Sequence, residues 1–122
     1  MHNAVHQDKD QLCINRSPGK QAQKKFGEAI ELISGKSEQY LLLEFEDNCR
    51  LWLRGRNEDP IVYIEAAIFG NEDHYGYDAF TLELTKAFSD TLGVRPDYIY
   101  IKFEDIGIWG TNGMCFDRRR YR

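Results

Sequence analysis

The chain of 122 residues is poor in histidine and cysteine, with three of each, and it has neither a long apolar run nor an excess of positive charge. Each shortage removes a class of function. No stretch approaches the roughly 20 apolar residues needed to span a bilayer. The opening MHNAVHQDKDQLC lacks the apolar centre of a secretory signal. The expectation is a cytoplasmic protein without a membrane partner, or one released without a signal peptide. A net charge of −4 argues against a general affinity for nucleic acid. The ending DRRRYR, residues 117–122, is locally basic and is expected to be a solvated tail. Cys13, Cys49 and Cys115 form no CxxC pair and leave one over, so reduced thiols are expected. His2, His6 and His74 are scattered, and although His2 and His6 can share one side of a helix, no metal or cofactor is expected.

What the chain does contain is a phrase stated twice. YLLLEFED at 40–47 returns as YIYIKFED at 98–105, an offset of 58 residues, and the same offset brings Gly55 to Gly113. This is read as an internal duplication. Each phrase alternates: Ile99, Ile101 and Phe103 share one face of a strand with Leu41, Leu43 and Phe45 as their counterparts, while Tyr98, Tyr100 and Lys102 take the other. Each also follows a helical stripe. Ala22, Phe26, Ala29, Ile30 and Ile33 precede the first, with Gly35 as a stop, and Tyr77, Phe80, Leu84, Ala87 and Phe88 precede the second, ending near Gly93. IVYIEAAIF at 61–69 supplies a strand before the second helix, and LWLRG at 51–55 and IGIWG at 106–110 are short extended pieces. Two β-α-β units with right-handed crossovers predict an α/β (α+β) fold, a four-stranded mixed sheet with two helices on one face. The other face then needs a cover, most simply a partner subunit, since an apolar sheet face left wet would be an association site.

One piece does not fit. The offset demands a strand at 3–11, but NAVHQDKDQ stands there, with only Ala4 and Val5 apolar. Burying Asp8 and Lys9 unpaired costs several kcal/mol, so this is expected to be a poor central strand. Codons allowed for Asn3 onward, read one base later, can spell MPFIKTKTN, which has the β pattern that the repeat wants. Residues 1–19 are therefore read as an atypical segment, a shifted reading of an ancestral start.

GKSEQY (35–40), EDPIVYIEAAIFG (58–70), RPDYIYIKFED (95–105) and WGTNGMCF (109–116) together resemble the tautomerase superfamily, and within it proteins similar to macrophage migration inhibitory factor. The resemblance implies one domain over 1–116, followed by the basic tail 117–122. It implies a trimer-forming fold, with active sites between subunits of a homotrimer, and keto–enol tautomerisation of phenylpyruvate-like α-keto acids without a cofactor. The family's base is an N-terminal proline, whose amine is neutral near pH 7 when its surroundings lower its pKa.

By position, the resemblance makes Lys36 the ligand of the substrate carboxylate and Ile68 a residue whose backbone faces the substrate. Tyr100 would line the pocket of a neighbouring subunit. Lys102 stands where mammalian members have asparagine, which alters the charge of the pocket. Ala4 falls at the proline position, and an internal Ala4 carries an amide that cannot act as that base; Pro18 is too far along to replace it. Two readings follow: a tautomerase impaired by the missing proline, or a non-catalytic trimeric, cytokine-like binding protein with a host receptor as partner. Doubled β-α-β units also build ferredoxin-like RNA-binding modules, with Tyr98 and Tyr100 as a stacking platform. The acidic balance and the lack of an aromatic–basic run speak against that third reading.

Overall fold

The computed structural model describes residues 8–16, 21–33 and 35–120. Ala4, His2, His6 and most of the atypical 1–19 segment lie outside these described residues. Six strands and two helices follow in the order β1 (Asp8–Ile14), α1 (Gln21–Ile30), β2 (Leu41–Glu46), β3 (Val62–Phe69), α2 (Tyr77–Leu92), β4 (Ile99–Ile106), β5 (Ile108–Thr111) and β6 (Met114–Asp117). The first four strands in the chain form one sheet in the order β2-β1-β3-β4, and β5 and β6 form a separate antiparallel ribbon. β1 runs parallel to β2, and β3 parallel to β4; the two units meet where β1 lies antiparallel to β3.

The predicted α+β architecture is therefore present, with a mixed four-stranded sheet. Both helices pack on the same side of it. Ala22, Phe26, Ala29 and Ile30 of α1 and Tyr77, Phe80, Leu84 and Phe88 of α2 share one core with Leu12, Ile14, Val62, Ile64, Ala66 and Ile68 of the two inner strands. At the edges, Leu41, Leu43 and Phe45 of β2 and Ile99, Ile101 and Phe103 of β4 are only half-buried and pack against that core. Phe26 is the ring where the halves meet: its centroid lies 5.9 Å from Phe45, 6.5 Å from Phe80 and 6.1 Å from Phe88, all edge-on.

The duplication extends to turn geometry. A single 3₁₀ turn precedes each repeated strand, Glu38–Tyr40 and Pro96–Tyr98, 58 residues apart. Gly35 and Gly93, at the same offset, both have positive φ. So do the pairs Arg54–Gly55 and Asn112–Gly113, which close tight hairpins between Leu53 and Arg56 and between Thr111 and Met114. Two central residues with φ > 0 suit the right-handed twist of a two-residue hairpin.

Several expectations are corrected. The first strand is not 3–11, and it is not excluded from the centre of the sheet: β1 pairs on both sides, three to five residues later. That placement puts Leu12 and Ile14 into the core, together with the fully buried Asp10. Tyr98 does not share the open face with Tyr100; it is buried in its 3₁₀ turn beneath the guanidinium groups of Arg54 and Arg95, at 5.3 and 4.8 Å. An aromatic platform of the two tyrosines is thereby lost. Helix α1 stops at Ile30, ahead of Gly35, and the chain turns through 31–33. The open face of the sheet is not apolar either. Leu42 and Tyr100 stand out from it, but Lys9 pairs with Glu44 at 3.3 Å and Lys102 with Glu65 at 3.8 Å.

At the basic end, Arg118 and Arg119 make ion pairs while Arg119 and Arg120 stay exposed. Arg118 bonds the Asp105 carboxylate and lies 3.8 Å from that of Glu72, and Arg119 reaches Asp117 at 2.6 Å. No helix among the described residues is long and apolar enough to cross a membrane.

Candidate functional site

Lys36 follows α1 in the loop leading to the first 3₁₀ turn, and its backbone N–H donates to Ile33 O at 3.0 Å. The loop is seated by close packing against the start of α2. Gly76 has φ of 90°, and a Cβ built there would lie 2.3 Å from Leu32 O, so only glycine lets the two segments approach this far. Lys36 is only 7% exposed. Its Nζ donates to Phe69 O at 2.8 Å, at the end of β3.

The carbonyl beside Lys36 belongs to Phe69. The Ile68 side chain is fully buried in the core, and its backbone is paired in register with Asp8 of β1 and Asp105 of β4. Successive carbonyls of a strand point to opposite edges, so a shift of one residue changes which group can meet an ammonium. Above this end of the sheet stands a stack of three rings, with His74 at 5.0 Å from Tyr77 and Tyr77 at 4.3 Å from Phe103.

Tyr100 and Lys102 lie on the opposite, open face. Tyr100 is 47% exposed and sits directly across from Tyr63, and Lys102 sits across from Glu65. Glu65 also accepts a hydrogen bond from the Tyr63 hydroxyl at 3.0 Å. Burial first, and then that bond, raises the Tyr63 phenol above its ordinary pKa. From Tyr63 to Phe69 is six residues of β3, or about 20 Å of strand. Within one chain the structure therefore separates the expected site residues: Lys36 and the Phe69 carbonyl gather at one end of β3, Tyr100 lies near the other, and Lys102 stands mid-strand on the open face.

Sequence reasoning missed three features. It did not name Phe69, whose carbonyl oxygen accepts from Lys36. It gave no role to Tyr63 and Glu65, although both fall on the strand face that alternation assigns to the open side. It also took the cysteines as free thiols, whereas Cys13 and Cys49 are joined in a disulfide, with Cα atoms 6.1 Å apart; Cys115 is free and exposed.

Comparison with solved structures places this geometry. Leishmania major MIF2 matches with a TM-score of 0.76 at 20% identity, covering 91% of this chain and 98% of that one. A macrophage migration inhibitory factor homologue from Prochlorococcus marinus matches with a TM-score of 0.74 at 24% identity, covering 88% and 98%. The chain has the MIF-like fold. The homologue from Toxoplasma gondii gives 0.70 at 18% identity, covering 88% and 99%. No family model matches the sequence. No curated protein sequence matches it either. In this MIF-like frame, Lys36 stands where β3 ends.

Proposed function

We propose that the chain is a MIF-like protein that binds small α-keto acids through Lys36 and tautomerises them poorly, because the amine base of the family has no counterpart in it. The observation that carries the reading is the seating of Lys36, a nearly buried ammonium held against the Phe69 carbonyl at the end of β3. Such a group is a point charge suited to a carboxylate. It favours binding and orientation but, being cationic, it does not remove a proton from carbon. None of the three prolines, at 18, 60 and 96, stands ahead of β1, and the nitrogen of Ala4 is an amide.

The proposed assembly is a homotrimer. The separation of Lys36 from Tyr100 and Lys102 along one chain supports it, since a neighbouring copy can bring the second pair to the first. In that arrangement Lys102, paired with Glu65, changes the charge pattern of the pocket.

The test compares this chain with one in which residues 1–11 are replaced by Pro-Phe-Ile-Lys-Thr-Lys-Thr-Asn, with the proline amine free. Enol formation from phenylpyruvate should rise about hundredfold or more, the scale of a positioned acid–base group. Equal and robust rates from both chains would overturn the reading. In the proline-first chain, Lys36→Gln should raise KM about tenfold or more, the value of one charge-assisted hydrogen bond.

The same Ala4 supports a second reading, a non-catalytic trimeric, cytokine-like binding protein recognised by a host receptor. Receptor capture that depends on assembly but is unchanged by Lys36→Gln would favour it over keto-acid binding.

A further inference from the structure

Far from Lys36, the open face of the sheet carries a cluster that the function above does not use. Cys13 lies in the inner strand β1, in register with Glu46 of β2 on one side and Tyr63 of β3 on the other. The chain leaves β2 at Glu46 and turns back through Asn48, whose φ is 55°. Cys49 then lands over the end of β1, where its N–H donates to Ile14 O at 2.8 Å. Its Sγ sits 3.0 Å from the carbonyl oxygen of Glu46. The two sulfurs and a carboxylate oxygen of Glu46 all lie within 4.8 Å of one another. The cysteines are half-buried and Glu46 is exposed, so the cluster opens to solvent.

We infer that Cys13, Cys49 and Glu46 form a binding site for a thiophilic divalent cation of the zinc class, open when the cysteines are reduced and shut when they are joined. The donor set is two thiolates and one carboxylate, and water completes a tetrahedron, as in zinc sites with three protein ligands. Zinc–sulfur bonds of about 2.3 Å put two sulfurs less than about 4 Å apart. A Cα separation of 6.1 Å accommodates that spacing once the S–S bond is broken, with the backbone left in place. The backbone is already fixed for the purpose. Cys13 is held by strands on both sides, and Cys49 by its bond to Ile14, so little ordering remains to be done when the ion binds.

The redox step balances through an external dithiol. One of its thiolates attacks a sulfur of the Cys13–Cys49 bond to give a mixed disulfide. Its second thiol then displaces the protein cysteine, so that two electrons and two protons pass to the protein and the reductant leaves as a disulfide. Binding of the cation releases the two thiol protons. A disulfide sulfur has no thiolate to offer, so oxidation expels the ion. Cys13 is five residues along β1 from Asp8, which pairs beside the Phe69 end of β3, or about 17 Å away. The cation site and the keto-acid site are separate, and neither proposal depends on the other.

The full chain, reduced with a phosphine and checked for three free thiols, is titrated with Co²⁺ and then Zn²⁺. One equivalent of Co²⁺ per chain should give thiolate-to-cobalt charge-transfer absorption, which Zn²⁺ should abolish, and the oxidised chain should give none. Cys13→Ser or Cys49→Ser should lose the band, Glu46→Gln should weaken binding, and Cys115→Ser should leave it unchanged. Glu46 is on the surface, so its variant keeps the test valid if a cysteine variant fails to fold. With Zn²⁺ bound, Cys13 and Cys49 should resist alkylation while Cys115 reacts. The site is disproved if the fully reduced chain shows no stoichiometric band, or if the band survives Cys13→Ser or depends on Cys115.

Discussion

The two halves of the molecule agree closely after their first strands and disagree within them. Both halves have the 3₁₀ turn, the half-buried edge strand and the tight hairpin with two positive φ angles, each at the same offset. The inner strands share a place in the sheet but not a composition. In β3 every second residue, Val62, Ile64, Ala66 and Ile68, is buried and apolar. In β1 that face carries Asp10, Leu12 and Ile14. An inner strand this polar depends on its neighbours. It is paired on both sides and joined through Cys13 to Cys49, a crosslink with no counterpart in the second half, where by register Ala67 of β3 takes the place of Cys13 and Gly107 stands at the repeat offset from Cys49. The weaker strand has the extra tie.

The largest test of this pairing of halves is the residue that belongs to both. Phe26 is fully buried and touches rings of its own half and of the other. Phe26→Ala should cost about 4 kcal/mol and lower Tm by about 15 °C. If the halves are one cooperative unit, a single transition should remain in calorimetry. Two separate transitions would show that they fold independently.

Next is the tie itself. Cys13 and Cys49 are 36 residues apart in sequence, and closing a loop of that length stabilises by just under ~4 kcal/mol through the unfolded chain. Cys13→Ser with Cys49→Ser should lose that amount, measured by urea unfolding without reductant. It should also raise hydrogen exchange in β1 more than in β3, because only in β1 is the apolar face interrupted by a buried carboxylate, Asp10. Equal exchange in both strands would contradict the contrast drawn above.

The contrast also explains what the sequence could and could not disclose. The second half was legible because its alternation and helical stripe are unbroken from Val62 to Ile106. The open ends were not. The repeat pointed to 3–11 for the first strand, but the chain pairs Asp8–Ile14, where Leu12 and Ile14 supply the only apolar alternation available. The disulfide was hidden because Cys13 and Cys49 meet only through the adjacency of β1 and β2, and strand order is not written in local periodicity. Lys36 came from resemblance alone. The Phe69 carbonyl was not legible, because which edge a carbonyl faces is not carried by side-chain patterns.

The repeated hairpins allow a finer comparison. Gly55 and Gly113 have φ of 76° and 71°, and a Cβ at either meets nothing within 4 Å. Replacing each by alanine therefore probes backbone conformation without a clash. Each change should cost about 1 kcal/mol, and the two should agree to within the error of chemical denaturation. A much larger loss at Gly113 would mean that the β5–β6 ribbon takes part in the core more than the short Leu53–Arg56 bridge does.

The smallest expected effect concerns a carboxylate that the halves treat differently. Asp117 ends β6, and Arg119 holds it through its side chain at 2.6 and 3.1 Å and its backbone N–H at 3.0 Å. In the first half Asp59 occupies the same offset, but Ile61 stands where Arg119 would be. The side-chain bonds from Arg119, followed by the backbone one, lower the Asp117 pKa to about 2. An unfolded aspartate titrates near 3.9. The folded state thus binds its proton less readily, so this contribution is fully present above about pH 4 and disappears as pH falls through about 2. Arg119 is largely exposed, and solvent screens the pair, so the contribution is modest. The urea midpoints of the parent chain and Asp117→Asn should differ by a constant amount between pH 7 and 5, converge between pH 4 and 2, and coincide below. A gap that does not change with pH would assign the difference to packing at the end of β6 instead of to charge.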